Sequence, residues 1–263
     1  MEITKEGIDG GKAFDWGRTS SDYAKYRDVY PREFYDRLLR TGFFGEGRRV
    51  LDLGTGTGVL PRNLYACGAE WVGTDISENQ IREAKRLSEE GGMTIQYLVS
   101  AAEELPFPDG SFDAITACQC YWYFDHARTA PVFSRLLKPD GRLFFLLMNW
   151  LPFEDKIAGE SEKLVLKYNP SWSGAGETER PMWIPEEYLA CFDIARQELF
   201  ELFVPFTRES WNGRMKACRG IGASLSAEEI AAWEREHLDF LEKNAPPRFE
   251  VLHYAAIAEL RKR

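Results

Sequence analysis

The stretch VLDLGTGTGVL, residues 50–60, limits what this chain can fold into more than any other. It opens as an apolar run with the character of a strand, and glycines at 54, 56 and 58 follow directly, before a helical pattern. Glycines in a strand-to-helix turn let the chain turn tightly, and they let a ligand lie against the backbone at the strand's carboxyl end.

The first 150 residues alternate short β-type runs with helical patterns, the mark of a parallel sheet covered on both faces. RRVLDLG, WVGTDIS, TIQYLVS, FDAITACQ and GRLFFLLMN read as five strands, and PRNLYACG lies in the first helix. Ser77 and Gln80 form a capping box that opens the second helix, with Ile81, Ala84 and Leu87 down one face. Another helix is predicted across DHARTAPVFSRLL. Past Trp150 the rhythm breaks: residues 150–196 are rich in Pro, Trp and Gly and hold only short helical stretches. ELFELFVPF and FEVLHYAAIAEL read as two further strands, with an amphipathic helix between them capped by Ser226 and Glu229.

Two ligand classes suit a glycine-rich turn. The dinucleotide fingerprint G-x-G-x-x-G needs glycine or alanine where Val59 stands, which argues against a nicotinamide-dependent oxidoreductase. Asp52, just before the turn, is an awkward neighbour for a pyrophosphate and a good one for a cation. Asp75 closes the second strand about 20 residues beyond the glycines, where a carboxylate can hydrogen-bond both hydroxyls of a ribose. A nucleoside with positive charge and no phosphate meets both conditions, and S-adenosylmethionine is such a molecule.

The segments VLDLGTGTG, GTDIS, SAAEELPFPDGSFDAITACQ and LLKPDGRL, within residues 49–147, resemble the run of motifs in class I S-adenosylmethionine-dependent methyltransferases. The resemblance implies a Rossmann-like α/β fold: a seven-stranded, mostly parallel sheet with an antiparallel last strand, helices on both faces and helical cap or lid insertions. Length and the pattern along the chain make one domain the simplest organisation, with a cap at 1–40, a cofactor-binding core at 41–149, insertions at 150–196 and 207–245, and a terminal strand at 250–262. By the same resemblance Gly54, Thr55, Gly56 and Gly58 line the methionine part of the cofactor, with Asp52 near its ammonium group. Asp75 holds the ribose, Ile76 packs on the adenine, Ala102 and Glu103 meet the adenine edge, and Gln119 lies beside the sulfonium and its methyl. On composition alone, Glu103 and Glu104 read as a solvated turn.

Enzymes that methylate amino groups in DNA bases typically carry Asn/Asp-Pro-Pro-aromatic after the fourth strand, where this chain has ACQCYWYFDH. Gln119 with Trp122, Tyr123, Phe124 and Asp125 is similar instead to small-molecule methyltransferases of the type 11 group, in particular the branch resembling trans-aconitate methyltransferase. Members of that branch often methylate carboxylates or other small acceptors. DYAKYRDVYP resembles the Tyr-Arg-Pro-x-Tyr-Pro-like leading segment of the group, with Asp28 where proline is common. The likeness implies that Tyr23, Tyr26 and Arg27 fold over the cofactor, Arg27 pairing with its carboxylate. The alternative is an amphipathic helix with buried tyrosines and Arg27 in solvent.

For the acceptor the sequence says less. Arg208, Arg214, Lys216 and Arg219 cluster around Trp211, either as a lid whose arginines receive an anion or as a solvated charge run. Tyr123, Trp150, Trp211, Arg214 and Arg219 are the candidate acceptor contacts, and ordinary packing is the alternative for each tryptophan. His126, Glu154 and Asp155 are candidate bases, although His126 reads more readily as a surface or capping residue. A carboxylate or thiolate acceptor needs no base. Cys118-x-Cys120 has the wrong spacing for a zinc pair, and no metal is expected.

Charge and compartment narrow the partners. Lys plus Arg number 33 against 42 Asp plus Glu, a net charge of −9 that repels polyanions, so no nucleic acid partner is expected. The first twenty residues have no apolar signal core, and LFFLLMNWLPF is too short to cross a bilayer. Five scattered cysteines read as free thiols. The expectation is a cytoplasmic methyltransferase of a small molecule, with no membrane partner, that converts S-adenosylmethionine to S-adenosylhomocysteine. A non-catalytic S-adenosylmethionine-binding module and a methyltransferase of macromolecules are the alternatives. Acceptor and oligomeric state stay open.

Overall fold

The computed structural model describes residues 3–19 and 24–263. Its strands are β1 (Arg49–Leu53), β2 (Glu70–Asp75), β3 (Gln96–Val99), β4 (Phe112–Cys118), β5 (Leu137–Trp150), β6 (Phe192–Thr207) and β7 (Arg248–Lys262). They form one sheet in the order β3-β2-β1-β4-β5-β7-β6. The pairs β1–β2, β2–β3, β1–β4 and β4–β5 are parallel, and the last strand is antiparallel. The helices are α1 (Arg32–Leu39), α2 (Val59–Asn63), α3 (Glu78–Glu90), α4 (His126–Leu136), α5 (Lys156–Tyr168), α6 (Glu186–Cys191), α7 (Arg208–Lys216) and α8 (Ala227–Asn244).

The chain divides into two compact units, each assembled from three segments. The first comprises Tyr30–Met148, Arg180–Phe200 and Ala255–Arg263. In it the chain lays down β1, β2 and β3 in one direction and then returns to place β4 on the other side of β1. That reversal opens a crevice beyond the carboxyl ends of β1 and β4. Val50, Leu51 and Leu53 are at most 1% exposed, which is why β1 reads as a continuous apolar run. Each such side chain contributes about 1.5–3 kcal/mol of burial.

The expected box at Ser226 and Glu229 forms in full, whereas at Ser77 only the forward half forms, and Asp125 adds a cap that the sequence reading did not name. The Ser77 hydroxyl accepts Gln80 N–H to start α3, and the Asp125 carboxylate accepts Arg128 N–H to start α4. Two elements differ from expectation. The first helix stops at Asn63, because Leu64 leaves helical geometry and a 3-10 turn at Tyr65–Cys67 follows. β5 begins at Leu137, which pairs with Phe112 before the KPDG turn; pairing then resumes at Arg142 with Ala114.

The second unit comprises Met1–Val29, Asn149–Glu179 and Glu201–Tyr254. Residues 156–168 form a thirteen-residue helix where only short stretches were expected. Its buried face is Ala158, Ser161, Glu162 and Val165, so two polar residues disguise the helical period. A polar relay ties α5, α7 and α8 together. Lys216 Nζ and Asn212 Nδ2 both donate to Glu234 Oε1, at 3.1 and 3.0 Å. With its amide nitrogen so placed, Asn212 offers Oδ1 to His237 Nδ1–H at 2.8 Å, and His237 Nε2 lies 2.9 Å from Ser161 Oγ. Trp211 Nε1 donates to the same hydroxyl at 2.9 Å.

Candidate functional site

The glycine turn is held from three sides. Thr55 N–H donates to Thr74 O, Gly58 N–H to Thr55 O, and Gly56 N–H to Asp75 Oδ2 at 3.0 Å. Gly54, Gly56 and Gly58 all have positive φ, the conformation glycine adopts without steric cost. Space decides as well: a Cβ on Gly54 would stand 2.8 Å from the Cys120 side chain, and one on Gly58 would stand 2.2 Å from the Tyr97 hydroxyl. Tyr97 therefore occupies the room that Gly58 leaves, and its hydroxyl meets Ser88 Oγ at 3.0 Å.

Two carboxylates bracket this turn. Asp52 is 2% exposed; its Oδ1 accepts from Thr116 Oγ1 at 2.6 Å and its Oδ2 from Thr55 Oγ1 at 2.7 Å. Burial, reinforced by the nearby Asp75 charge, raises its pKa to about 6 against the hydroxyl hydrogen bonds. Asp75 accepts Ser77 N–H at Oδ1 (2.8 Å) as well as Gly56 N–H at Oδ2. Burial raises its pKa too, opposed by those two N–H groups. Every donor to the pair is neutral. Each Asp75 oxygen keeps acceptor capacity beyond its one N–H, as a vicinal diol requires. Ile76 and Val99, at the ends of β2 and β3, expose apolar surface suited to a flat ring. The donor set thus fits a cationic nucleoside.

The other expected cofactor residues are spread around the same carboxyl edge or away from it. Ala102 is buried, and Glu103 Oε1 accepts the Asp125 N–H at 2.9 Å, joining the loop after β3 to the start of α4. Gln119 follows β4 at a φ of 56°, and its Nε2 donates to Tyr30 Oη at 2.9 Å and to Met148 O at 2.8 Å. Tyr30 was not singled out from sequence; its place in DVYP just ahead of α1 is the one local signal. Tyr123 ends a half-buried 3-10 turn, with its ring 5.8 Å from Trp122. His126 is the first residue of α4, 5.5 Å from the Tyr188 ring and 6.0 Å from that of Trp183.

The remaining candidates belong to the second unit. Tyr26 Oη donates to Glu209 Oε1 at 3.0 Å, and its ring fills the space over Gly213; Arg27 is half-buried, and Tyr23 lies outside the described residues. Trp150 Nε1 donates to buried Glu162 at 2.6 Å, and Trp211 is fully buried. Arg214 is 2% exposed, donates to Cys218 Sγ and stands 4.9 Å over the Trp150 ring. Arg219 grips Asp9 through Nε and Nη2, at 2.7 and 3.0 Å, and Arg208 donates to Ala245 O. The cationic cluster is therefore a set of internal contacts and not a solvated run. Glu154 is exposed, whereas its neighbour Asp155 caps α5 and also accepts Leu252 N–H.

The sequence model of the family described as "Methyltransferase domain" matches residues 51–145. A ubiquinone biosynthesis O-methyltransferase of Thiobacillus denitrificans is 30% identical over 160 residues, which cover 60% of this chain and 68% of that relative. The chain belongs to the class I S-adenosylmethionine-dependent methyltransferases. Within this methyltransferase family it is also similar to a demethylmenaquinone methyltransferase of Thermus thermophilus, 41% identical over 102 residues, 38% of this chain and 46% of the relative. The chain spans about half the length of the first curated relatives it matches, from 46% to 58%. The solved YcgJ protein of Bacillus subtilis shares the fold, with a TM-score of 0.52 and 21% identity, over 89% of this methyltransferase and 99% of YcgJ. Among the described residues no helix is long and apolar enough to cross a membrane.

Proposed function

We propose that this chain transfers the methyl group of S-adenosylmethionine to a small-molecule acceptor and releases S-adenosylhomocysteine. The observation that carries the reading is the pair Asp52 and Asp75, two carboxylates flanking a glycine turn with neutral donors only. Asp75 takes the ribose hydroxyls, and Asp52 supplies negative charge behind the turn for the ammonium group. Ile76 packs on the adenine with Ala102 and Glu103 at its edge, while Gly54, Thr55, Gly56 and Gly58 flank the methionine portion and Gln119 the sulfonium.

When bound, S-adenosylmethionine supplies an electrophilic methyl on a sulfonium. The protein's part is to hold the acceptor in line with that methyl and keep water out; such positioning can supply about 7–11 kcal/mol. A carboxylate is the simplest acceptor, because it attacks without losing a proton. For a hydroxyl acceptor, His126 is the candidate base of the first unit. Tyr123 borders the acceptor there. The printed names of the relatives, which concern demethylmenaquinone and ubiquinone biosynthesis, support a small acceptor. Five free thiols fit work in the reducing cytoplasm.

The test is methyl transfer itself. Purified protein is incubated with methyl-labelled S-adenosylmethionine and a cell extract, and labelled products are identified by mass. Label in a small molecule is the expected result; label found only in protein or nucleic acid overturns the acceptor class.

A further inference from the structure

Gln119 sits where β4 ends, in a left-handed conformation that a residue with a side chain adopts only at a steric cost. Its backbone N–H is fixed on Leu146 O at 2.8 Å. Its side chain is fixed as firmly. A primary amide has two hydrogens, and Nε2 directs them to Tyr30 Oη and Met148 O. The Met148 carbonyl can only accept, so the amide has one orientation: the nitrogen toward Tyr30 and Met148, and Oε1 on the opposite side. Tyr30 is itself held, with its ring 4.8 Å from that of buried Phe34 and its hydroxyl 3.3 Å from Cys118 Sγ.

We infer that Tyr30 is a positioning residue for the methyl donor: by anchoring the Gln119 nitrogen, it makes the carbonyl oxygen Oε1 the atom that faces the sulfonium methyl. The inference rests on the methyl-donor reading above. A sulfonium polarises its methyl hydrogens positive. A carbonyl oxygen attracts them, whereas an amide NH2 turned the same way would repel the cation. Tyr30→Phe removes one of the two anchors and leaves the ring packing in place. The amide then rotates about the remaining contact to Met148 O, and the negative end of its dipole no longer points steadily at the methyl.

The effect is read without knowing the acceptor, because S-adenosylhomocysteine lacks only the methyl and the positive charge. Calorimetric titrations of the wild type, Tyr30→Phe and Gln119→Leu are made with S-adenosylmethionine and S-adenosylhomocysteine separately. Tyr30→Phe is expected to bind S-adenosylhomocysteine as the wild type does and S-adenosylmethionine about fivefold more weakly, the loss of roughly one hydrogen bond's worth of affinity. Gln119→Leu is expected to lose the same discrimination, and the double variant no more than either single one. Equal loss for both ligands, or no loss for either, overturns the positioning role, as does a Gln119→Leu protein that still discriminates. A wild type that binds neither ligand overturns the methyl-donor reading instead, so the two failures are distinct.

Discussion

Asp75 holds the Gly56 amide at 3.0 Å, so the residue that closes β2 clamps the turn that follows β1. One carboxylate thereby orders the backbone of the turn, and each of its oxygens keeps a lone pair for a further donor. Asp75→Ala removes both functions. The loss of two charge-assisted hydrogen bonds, about 1.5 kcal/mol or more each, is expected to weaken S-adenosylhomocysteine binding about 100-fold or more. Asp75→Asn, which keeps one acceptor oxygen, falls between the two in the same titration.

Asp52 makes binding depend on pH. Its folded pKa of about 6 stands above the ordinary 3.8, so on raising the pH the unfolded chain ionises first. Stability from this group is present below about pH 4 and is lost as pH rises toward 6. A cationic ligand favours the ionised form. Affinity for S-adenosylmethionine is therefore expected to rise up to about pH 6 and then level, with proton release on binding at pH 5.5 that fades by pH 7.5. Calorimetry in buffers of different ionisation enthalpy measures this, and proton uptake at pH 5.5 would contradict it. Asp52→Asn should weaken binding without lowering the melting temperature of the free protein.

Gly58 and Tyr97 are coupled. An alanine at 58 would be strained both by its φ of +74° and by a Cβ 2.2 Å from the Tyr97 hydroxyl. Gly58→Ala is expected to cost about 2–4 kcal/mol, combining overpacking with the left-handed backbone. In Tyr97→Phe the obstructing oxygen is gone, so adding Gly58→Ala to that variant should cost less than adding it to the wild type. Denaturant melts of the four proteins give the coupling; strict additivity would refute the steric account.

The second unit carries two histidines that burial pushes down to about 3, His237 and His253. Each takes up its proton in the unfolded chain near pH 6.5 and in the folded one only near 3. The stability from keeping them neutral is thus complete above pH 6.5 and is lost on acidification between those values, by about 1.4 kcal/mol per pH unit for each histidine. His237→Gln should flatten the dependence of unfolding free energy on pH between 6 and 4. An unchanged slope would show that the imidazole is already protonated in the fold.

Much of the first unit was legible because its signals are local. The apolar run at 50–53, the glycines after it, and the cap at Ser77 each act within a few residues of themselves. Asp75 was singled out by its distance along the chain from the glycines, and its carboxylate does reach back to the Gly56 amide. Contacts made across long separations were not legible. The pairing of Arg219 with Asp9 spans 210 residues and turned a suspected anion receptor into an internal ion pair. The link from Tyr30 to Gln119 spans 89, and the relay from Ser161 to His237 spans 76. Sequence spacing carries no trace of such meetings, because they depend on how separate elements pack.

The donor site is the centre of the account, and a direct titration of the purified protein with S-adenosylmethionine, S-adenosylhomocysteine and NAD(H) tests it most simply. Binding of the first two in the micromolar range, with none of NAD(H), is the predicted result. No heat from either sulfur ligand, or tight binding of NAD(H), would contradict it.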